Sequence, residues 1–600
     1  MSRYRAHRSL NRSAILRSGV AAVGLLLGAG SAQAQLRVVT YNTLDKPFTI
    51  ADDAQVQAIF GAIADESVNG IARPADIVLL QEQTTFSLTT STMQNIADSL
   101  NVIHSGAVYE ADFIGFGNDR LAVVYNAATV DLLDSRQVGV GIRPGYRGHF
   151  RPVGYSDPGS DFYAYSVHFK AGSSSSDFSA RASEAINLTN NGDSLGQGTN
   201  IIYAGDFNIQ AGSDAAYQNL IAPGPGQAVD PTGVSSWNGL FNPEIMTQST
   251  RTAALGDGGA TSGLDDRFDF QFVTEEVNDG EGFAIITPTS TGAAESSYRA
   301  FGNDGVSFNQ AINNTTVGRS QPAVVLNALH DFSDHLPVVA DYQLPALMEL
   351  GTTTLATQAF VGESAGFLGT VQNVAPVSVA AGADELDYSA TASGDVDGPG
   401  TFIGTADPLA SANSHAFAFD TATAGVRTAS FDVTSLSDGV ADQQTEVSIS
   451  VFDHANGSFA SGSDVNTLTI DFGTVAQGAT DGGTFGGLTE IFDLFNLEST
   501  AGFTSALSIS DPTGVAGDTD VLSLFSSPSF EDTAEAGQSV TRGVAFDTGV
   551  AGSFSATWEI EVGDALDIAG ALTETLTLTL LGEVLAAGFI DGDYNGDGTV

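Results

Sequence analysis

The chain has 600 residues, too many for a single hydrophobic core, so several domains of roughly 100–200 residues each are expected. It contains no cysteine, which excludes disulfides and thiolate metal sites. The formal net charge of −50 excludes a generally basic surface, so a nucleic-acid substrate would require a local basic patch or bound cations.

Residues 1–34 have the pattern of a secretory signal peptide. Scattered arginines come first, an apolar run follows at 21–28, and Ala32 and Ala34 flank Gln33 before the expected cleavage site. We therefore expect a secreted protein whose mature chain begins near Gln35. No later stretch reaches the roughly 18 apolar residues of a membrane span, so no transmembrane segment is expected.

Strand-like and helix-like segments alternate between residues 36 and 342, which is typical of a layered α/β sheet. The predicted strands are Leu36–Asn42, 76–82, 119–126, Phe162–His168, 201–210, 266–273 and the apolar end of 331–342. The predicted helices are 52–66, 93–100 and 180–188. A serine run at 173–176 predicts a flexible loop before the last of these helices.

The segment 201–210 carries the clearest chemical signal. Its apolar strand ends abruptly in Gly-Asp-Phe-Asn, so Asp206 and Asn208, two residues apart, are expected to point the same way. A carboxylate can hold a hard cation or a water proton, and an amide can hold a phosphate oxygen. The alternative is an ordinary turn, because Asp, Asn and Gly are common turn residues.

The basic cluster of the expected mature chain lies at 136–151. It contains Arg136, Arg143, Arg147 and Arg151, together with His149. These guanidinium groups could bind a phosphate bidentately. Salt bridges to the abundant acids are an equally good interpretation of each arginine.

Two later segments carry further candidate acids, one of which directly precedes a histidine. Asp269 lies on the face of its predicted strand opposite a row of phenylalanines. Asp334 directly precedes His335 in a loop that leads into the last apolar strand, so an imidazole held by a carboxylate is expected there.

Taken together and in this order, these segments resemble the endonuclease/exonuclease/phosphatase superfamily over residues 36–342, about half of the chain. The matching motifs are TYN with Asn42, LLQE with Glu82, SVHFK with His168, GDFN with Asp206 and Asn208, RFDFQF with Asp269, and SDH with Asp334 and His335. The resemblance implies an α/β four-layer sandwich, in which two packed mixed β-sheets are flanked by helices and the active site lies at the strand ends.

The resemblance also implies roles for these residues. The implied ligands of Mg²⁺, or of Mn²⁺ or Ca²⁺ in its place, are Asn42, Glu82 and Asp334. The implied catalytic residues are His168, Asp206, Asn208, Asp269, Asp334, His335 and, through a loose alignment, Asp119. His335 would be the base or a charge stabiliser, oriented by an acid such as Asp334, and His168 the acid. Arg151 and Asn208 would contact the substrate phosphate.

The function implied is that of a secreted metal-dependent phosphodiester hydrolase, a nuclease that cleaves DNA or RNA by in-line attack of an activated water. One alternative is a phospholipid or small-molecule phosphodiesterase of the same fold. The other is a catalytically inactive surface scaffold or adhesion protein. The complete set of polar strand ends favours an enzyme.

From about residue 346, short alternating runs separated by turns predict all-β sandwich modules. The expected domains are 35–345 for the α/β part, 346–443 and 444–584 for two sandwiches, and 585–600 for the start of a dockerin-like calcium loop. Asp593, Asn595 and Asp597 offer oxygens at positions 1, 3 and 5 of that incomplete loop. Ca²⁺ there, and a cohesin-like or cell-surface partner, would require the chain to continue.

Overall fold

The computed structural model describes residues 35–83, 92–114, 120–237, 241–398, 400–525, 532–586 and 588. The predicted signal peptide, Asp119 and the calcium-loop residues Asp593, Asn595 and Asp597 lie outside these residues. The described chain is mostly strand, with five α-helices. None of those helices is both long and apolar enough to cross a membrane.

The first part of the chain combines thirteen strands with the five helices. The strands are β1 (Leu36–Asn42), β2 (Ser67–Val68), β3 (Ile71–Ala72), β4 (Ile77–Gln83), β5 (Tyr109–Ile114), β6 (Arg120–Asn126), β7 (Val130–Val138), β8 (Gly145–Pro152), β9 (Phe162–His168), β10 (Ile201–Asp206), β11 (Asp269–Val273), β12 (Arg299–Ala300) and β13 (Val338–Tyr342). The helices are α1 (Ile50–Asp65), α2 (Thr92–Ile103), α3 (Ser175–Asp193), α4 (Ala215–Leu220) and α5 (Ala323–Phe332).

Helix α3 begins earlier than the sequence pattern predicts. The Ser174 hydroxyl accepts the backbone N–H of Asp177, and the Asp177 carboxylate accepts the backbone N–H of Ser174. This capping box satisfies donors that the first turn of a helix would otherwise leave unpaired. The serine run expected to be a flexible loop is therefore the start of the helix.

Two sheets form the core of this part. One has six strands in the order β12-β13-β1-β4-β6-β5, and the other has five in the order β11-β10-β9-β8-β7. The pairs β1–β4 and β9–β10 are parallel, so their C-terminal ends lie at the same edge of each sheet. Four of the residues expected to form a site are at these ends, namely Asn42, Glu82, His168 and Asp206.

Alternate side chains of the central strands face opposite ways. Val38 of β1 and Ile202 of β10 belong to one apolar cluster shared by the two sheets. Val39 and Tyr203, one residue further along, belong to another cluster that includes helix residues. This period of two residues lets each strand contact the other sheet on one face and the helical side on the other.

Two buried glutamines connect the sheets through hydrogen bonds. Gln81 of β4 donates to the Ser166 hydroxyl of β9 at 2.8 Å. Gln271 of β11 donates to the carbonyls of Val38 and Val338 at 3.0 and 2.8 Å. Because an unpaired buried amide costs free energy, sliding one sheet along the other is disfavoured. The glutamines therefore help to fix the alignment of the strand ends.

The second half of the chain is strand-rich, and its sheets form two modules, named here the first and the second sandwich. The first contains β14 (Met348–Thr354), β15 (Gln358–Phe360), β16 (Gly366–Asn373), β17 (Leu386–Gly394), β18 (Thr401–Ala406), β19 (Asn413–Ala418), β20 (Gly425–Ser435) and β21 (Gln443–Phe452). Its sheets run β14-β16-β19 and β15-β21-β20-β17-β18 around one apolar cluster.

The second sandwich contains β22 (Gly457–Ser458), β23 (Thr467–Ala476), β24 (Leu488–Asn496), β25 (Leu507–Ile509), β26 (Thr513–Gly517), β27 (Leu522–Phe525), β28 (Thr533–Ala534), β29 (Ser539–Phe546), β30 (Gly552–Asp564) and β31 (Thr573–Leu585). Its sheets run β22-β24-β29-β27 and β23-β31-β30-β25-β28, with β26 paired to β30.

The predicted boundary between the sandwiches, at 443/444, is wrong. Strand β21 begins at that point and pairs along its length with β20, and its end pairs with β15. Both partners belong to the first sandwich. Its core therefore needs β21, and the division between the modules falls after Phe452.

The first sandwich packs directly against the α/β part. Val377 and Ala383, from the connection between β16 and β17, share an apolar cluster with Phe283 and Tyr342. The Tyr155 hydroxyl also donates to the carbonyl of Pro345 at 2.6 Å. This contact between the first sandwich and the α/β part is called the seam below. It lies at the end of β1 opposite Asn42, because Tyr342, which contributes to it, pairs with Leu36 at the start of that strand.

The seam should respond to pH through Asp384. Its buried carboxylate accepts the Gly282 backbone N–H at 2.8 Å, and burial raises its pKa to about 8, with a further rise from nearby Glu281 and Glu385. Because the pKa is raised above the ordinary 3.8, the stabilising contribution of this group is full below about pH 4 and is lost as pH rises through about 8. Asp384→Asn should therefore flatten this pH dependence and raise the melting temperature at alkaline pH.

Thermal unfolding between about pH 5 and pH 9 measures the effect. Glu349→Gln, which removes an exposed acid from β14, is the control and should retain the wild-type profile. An Asp384→Asn profile that also matches wild type at every pH would contradict the assignment.

Candidate active site

Polar side chains from both sheets meet at one edge of the α/β part. Asn42 is the last residue of β1, His168 of β9 and Asp206 of β10, whereas Asp269 is the first of β11. Asp206 pairs in register with His168 on one side and with Asp269 on the other. The strand register alone therefore places these three side chains next to one another.

Asn42 connects the two sheets at this edge. Its Nδ2 donates to Glu82 Oε1 at 3.0 Å and to Asp206 Oδ2 at 3.2 Å. Its Oδ1 accepts the backbone N–H of Leu44 at 3.1 Å. In this arrangement the Asn42 amide nitrogen contacts both carboxylates, and Oδ1 accepts one hydrogen bond.

Glu82 is directed toward Asn42 and His168 by an irregularity in β4. The pairing of β4 with β6 shifts register between Leu80 and Gln83, and Glu82 has a φ of +56°. An extra residue of this kind changes the direction of a side chain. The carboxylate is held there by the Asp45 backbone N–H, which donates to Oε2 at 3.0 Å. The sequence predicts a strand that ends at Glu82, whereas the structure shows a bulge inside the strand.

A group of three side chains has the geometry to hold a metal ion. His168 Nε2 lies 3.7 Å from Glu82 Oε1 and 3.5 Å from Asp206 Oδ2. One ligand atom from each of the three lies within 4.8 Å of the others. Two carboxylate oxygens and one imidazole nitrogen fit a divalent cation such as Mn²⁺ or Mg²⁺. Among the described residues this is the group with metal-site spacing, and it does not include Asp334.

His335 is oriented by Asp269 rather than by its neighbour in sequence. The His335 Nδ1 lies 2.7 Å from Asp269 Oδ2, and its Nε2 lies 3.8 Å from Asp206 Oδ2. Asp334 instead accepts the Ala260 backbone N–H at 2.7 Å and the Gln248 amide at 3.1 Å. The expectation that Asp334 orients His335 is therefore wrong, because adjacent residues leave the backbone in different directions.

Burial and the neighbouring charges shift two pKa values in this cluster. Burial raises the pKa of Asp206 to about 6, against the lowering effect of His335 and His168. Burial lowers the pKa of His335, but the carboxylates of Asp269, Asp334 and Asp206 outweigh it, so the net shift is well upward. Asp206 is consequently a stronger base than an ordinary aspartate, and His335 favours its charged form.

Asn208 lies just beyond β10, not within it. The strand ends at Asp206, and Asn208 has a φ of +51°, a left-handed conformation that asparagine tolerates. Its backbone N–H donates to Asp206 Oδ1 at 2.9 Å, and its Nδ2 donates to the Phe169 carbonyl at 3.3 Å. A turn rather than strand periodicity brings Asn208 to the cleft.

Arg151 lies far from the cluster. It follows Phe150, which pairs with Phe162 at the start of β9, about 20 Å along the strand from His168. Its guanidinium is bound to Asp161, which also contacts His149. The salt-bridge interpretation holds for this arginine, and the predicted phosphate contact is wrong.

Arg143 is the arginine of that cluster that lies beside the site. Its Nη1 donates to the Phe169 carbonyl at 3.2 Å, the same oxygen that accepts Asn208 Nδ2. Glu184 of α3 accepts the backbone N–H of Ile142 at 3.4 Å and that of Lys170 at 2.8 Å. These bonds tie the β7–β8 hairpin to the loop that follows His168.

Gln248 is a residue beside the site that the sequence interpretation missed. Its Nε2 lies 2.6 Å from His335 Nε2. The segment around it has no strand or helix periodicity, and it reaches the site because Gln248 forms isolated antiparallel bridges with both Asp266 and His335. No local pattern in the sequence could have shown this placement.

No family model matches the chain, and no curated protein matches it. Solved structures of endonuclease/exonuclease/phosphatase proteins do match. A family member from Bacteroides vulgatus is 17% identical, with 52% of this chain and 99% of that chain covered and a TM-score of 0.31. One from Bacteroides thetaiotaomicron is 15% identical, with 51% and 94% covered and a TM-score of 0.31. D. rerio TDP2 complexed with single strand DNA product is 14% identical, with 52% and 99% covered and a TM-score of 0.32.

Glu82→Gln should weaken the binding of Mn²⁺ at least about tenfold, because it replaces an anionic ligand by a neutral amide of the same size. Isothermal titration calorimetry measures the affinity, and circular dichroism checks the fold. Glu110→Gln, at an exposed position of β5, is the matched control and should bind Mn²⁺ as the wild type does. If the wild type, Glu82→Gln and Glu110→Gln bound Mn²⁺ with equal affinity, Glu82 would not be a ligand of the cation.

Proposed function

We propose that the protein is a metal-dependent phosphoester hydrolase whose α/β part is the four-layer sandwich that its sequence predicts. The observation that carries the proposal is the position of Asp206. Its carboxylate lies 3.5 Å from His168 Nε2, within the metal-ligand group, and 3.8 Å from Nε2 of the Asp269-held His335. Cation ligands and a histidine–aspartate pair therefore meet at one carboxylate.

The residues of the site would have separate roles in hydrolysis. Glu82, His168 and Asp206 would hold the cation, which when bound neutralises charge on the phosphate. We assign His168 to this set rather than to proton donation, because its Nε2 faces both carboxylates. These three side chains are the described group with metal-ligand spacing.

Residues at the end of β10 would activate the attacking water. Asp206 would accept a proton from the water as the new phosphorus–oxygen bond forms. The bond to the leaving oxygen breaks in line with the attack, and this oxygen would take up a proton from solvent water. His335, held by Asp269, stabilises negative charge on the phosphate oxygens, and the Asn208 amide orients the phosphate.

Within this class we propose a nucleic-acid substrate and a secreted location. The nuclease interpretation follows from the motif resemblance, and secretion from the pattern of residues 1–34. A phospholipid or small phosphodiester is the second candidate. The sandwiches and the calcium-loop residues would then contact a cell-surface or cohesin-like partner.

Incubation with DNA, RNA, sphingomyelin and bis-p-nitrophenyl phosphate, with and without EDTA, tests the function and ranks the substrates. We expect hydrolysis that EDTA abolishes. His335→Ala should lower kcat at least about 100-fold without unfolding the protein. His149→Ala removes a histidine paired with Asp161 at the far end of the sheet and should remain active. Absence of metal-dependent hydrolysis of all four substrates would favour the inactive scaffold.

Arg143 and Arg151 form a matched pair for locating the phosphate contact. Arg143→Met should lower kcat/KM roughly 10- to 100-fold, because a charged hydrogen bond to the substrate phosphate is lost. Arg151→Met should leave kcat/KM within about twofold of wild type, since its guanidinium is bound to Asp161. A larger loss of kcat/KM in Arg151→Met than in Arg143→Met would instead identify Arg151 as the phosphate contact.

A further inference from the structure

Two charged residues of helix α3 are buried although neither has a role in the proposed chemistry. Arg181 has no exposed surface, and Glu184, three residues further along, is 2% exposed. Residues three apart lie on the same face of a helix, so both side chains are on the buried side of α3. Burying a charged group costs free energy unless strong hydrogen bonds compensate for it. The hydrogen bonds of these two side chains therefore indicate their role.

Both side chains hold the loop that follows His168. Glu184 Oε2 accepts the backbone N–H of Lys170 at 2.8 Å. Arg181 Nη1 donates to the carbonyl of Lys170 at 2.8 Å and to that of Gly172 at 2.7 Å. Lys170 is thus bound through both of its backbone polar groups, two residues after His168. Arg181 and Glu184 together are called the α3 clamp below.

The loop that the α3 clamp holds contributes directly to the site. His168 precedes it, and the Phe169 backbone N–H donates to the Asp206 carbonyl at 2.8 Å. The Phe169 carbonyl accepts both Asn208 Nδ2 and Arg143 Nη1, at 3.3 and 3.2 Å. The position of this one segment consequently sets the places of a residue of the metal-ligand group and of two side chains that would contact the phosphate.

Glu184 also holds the β7–β8 hairpin on which Arg143 lies. Its Oε1 accepts the backbone N–H of Ile142 at 3.4 Å. A β-carbon at Gly141 would lie 2.2 Å from Glu184 Cγ, so the hairpin comes this close only because residue 141 has no side chain. One buried carboxylate thus connects the strand end that carries His168 with the hairpin that carries Arg143.

We propose that the α3 clamp positions the site for hydrolysis: it fixes His168 as a cation ligand and Arg143 as a phosphate contact. The inference rests on the proposed hydrolase function, and it adds two positioning residues that touch neither the substrate nor the cation. An apolar pair would serve the packing of α3 equally well, because replacing buried charges by apolar residues is often neutral or stabilising. The backbone groups that the two charges hold explain their presence.

The first test is the affinity of the full chain for Mn²⁺, measured by isothermal titration calorimetry. Glu184→Gln keeps the size of the side chain, but its amide has one acceptor oxygen in place of two, so one of the two backbone N–H groups loses its partner. We expect the dissociation constant for Mn²⁺ to rise about tenfold, since a group that orients a metal ligand changes affinity by this order. The value of kcat/KM for bis-p-nitrophenyl phosphate should fall about tenfold as well.

Glu66→Gln is the matched control. Its backbone carbonyl accepts Arg37 Nη2 at 3.1 Å, which places Glu66 at the end of β1 opposite Asn42. Its carboxylate also accepts two hydrogen bonds, from Arg299 Nε and from Gln321 Nε2. This variant should bind Mn²⁺ and hydrolyse the diester within about twofold of wild type.

A double-mutant cycle distinguishes positioning from general destabilisation. If Glu184 acts through the hairpin, Glu184→Gln should lower kcat/KM by a smaller factor in the Arg143→Met background than in the wild-type background, because the contact that it positions is already gone. Equal factors in the two backgrounds would refute the action through Arg143. Melting curves identify the temperatures at which all variants are folded, and the kinetic values are compared there.

The outcomes separate this inference from the proposed function. If Glu184→Gln melts at a lower temperature but keeps wild-type Mn²⁺ affinity and kcat/KM, the clamp is only structural, so the inference is refuted and the hydrolase proposal stands. If Glu184→Gln does not fold, Arg181→Met is measured in the same way, and wild-type values refute the inference. If the clamp variants bind Mn²⁺ more weakly but the wild type hydrolyses no substrate, the clamp stands and the hydrolase proposal fails.

Discussion

The hydrogen bond from Asn42 Nδ2 to Asp206 Oδ2, 3.2 Å long, joins the last residues of two strands that belong to different sheets. It can form only if the two sheets are aligned along their strands to within about one residue, roughly 3.3 Å. The buried glutamines Gln81 and Gln271 support that alignment, since each hydrogen-bonds to the opposite sheet. The arrangement of the candidate site thus depends on polar contacts inside an otherwise apolar interface.

The meeting of these strand ends also brings acidic side chains close together, and this changes the pKa of Asp206. Glu82, Asp206 and Asp269 lie close together, and their mutual repulsion adds to the cost of burial, which raises the pKa of Asp206. His168 and His335 face these carboxylates and offset part of that cost. A divalent cation at the three-residue group would offset more of it. Burial of these acids destabilises the fold, and in the absence of a cation it raises the pKa of Asp206.

Local patterns in the sequence predict much of the fold. Apolar runs ending in polar residues locate β1, β9 and β10 to within a few residues, because the two-residue alternation of a strand is visible in the chain itself. Alternating runs after residue 346 correctly indicate a strand-rich second half. They do not locate the division near Phe452, since membership of β21 in the first module depends on its pairing with β20. Nor do they show that Val377 and Ala383 pack against the α/β part.

By itself, the sequence determined which chemical groups the site would contain, because Asn42, His168 and Asp206 each end a strand that can be recognised locally. Only the tertiary structure decided how the groups are paired. In the folded chain, Asp269 hydrogen-bonds to His335. Backbone bridges to Asp266 and His335 hold Gln248 beside the site. The physical reason is that side-chain partners across strands depend on register and on which end of a sheet a residue occupies. These are set by packing between segments tens of residues apart, which leaves no periodic trace in the chain.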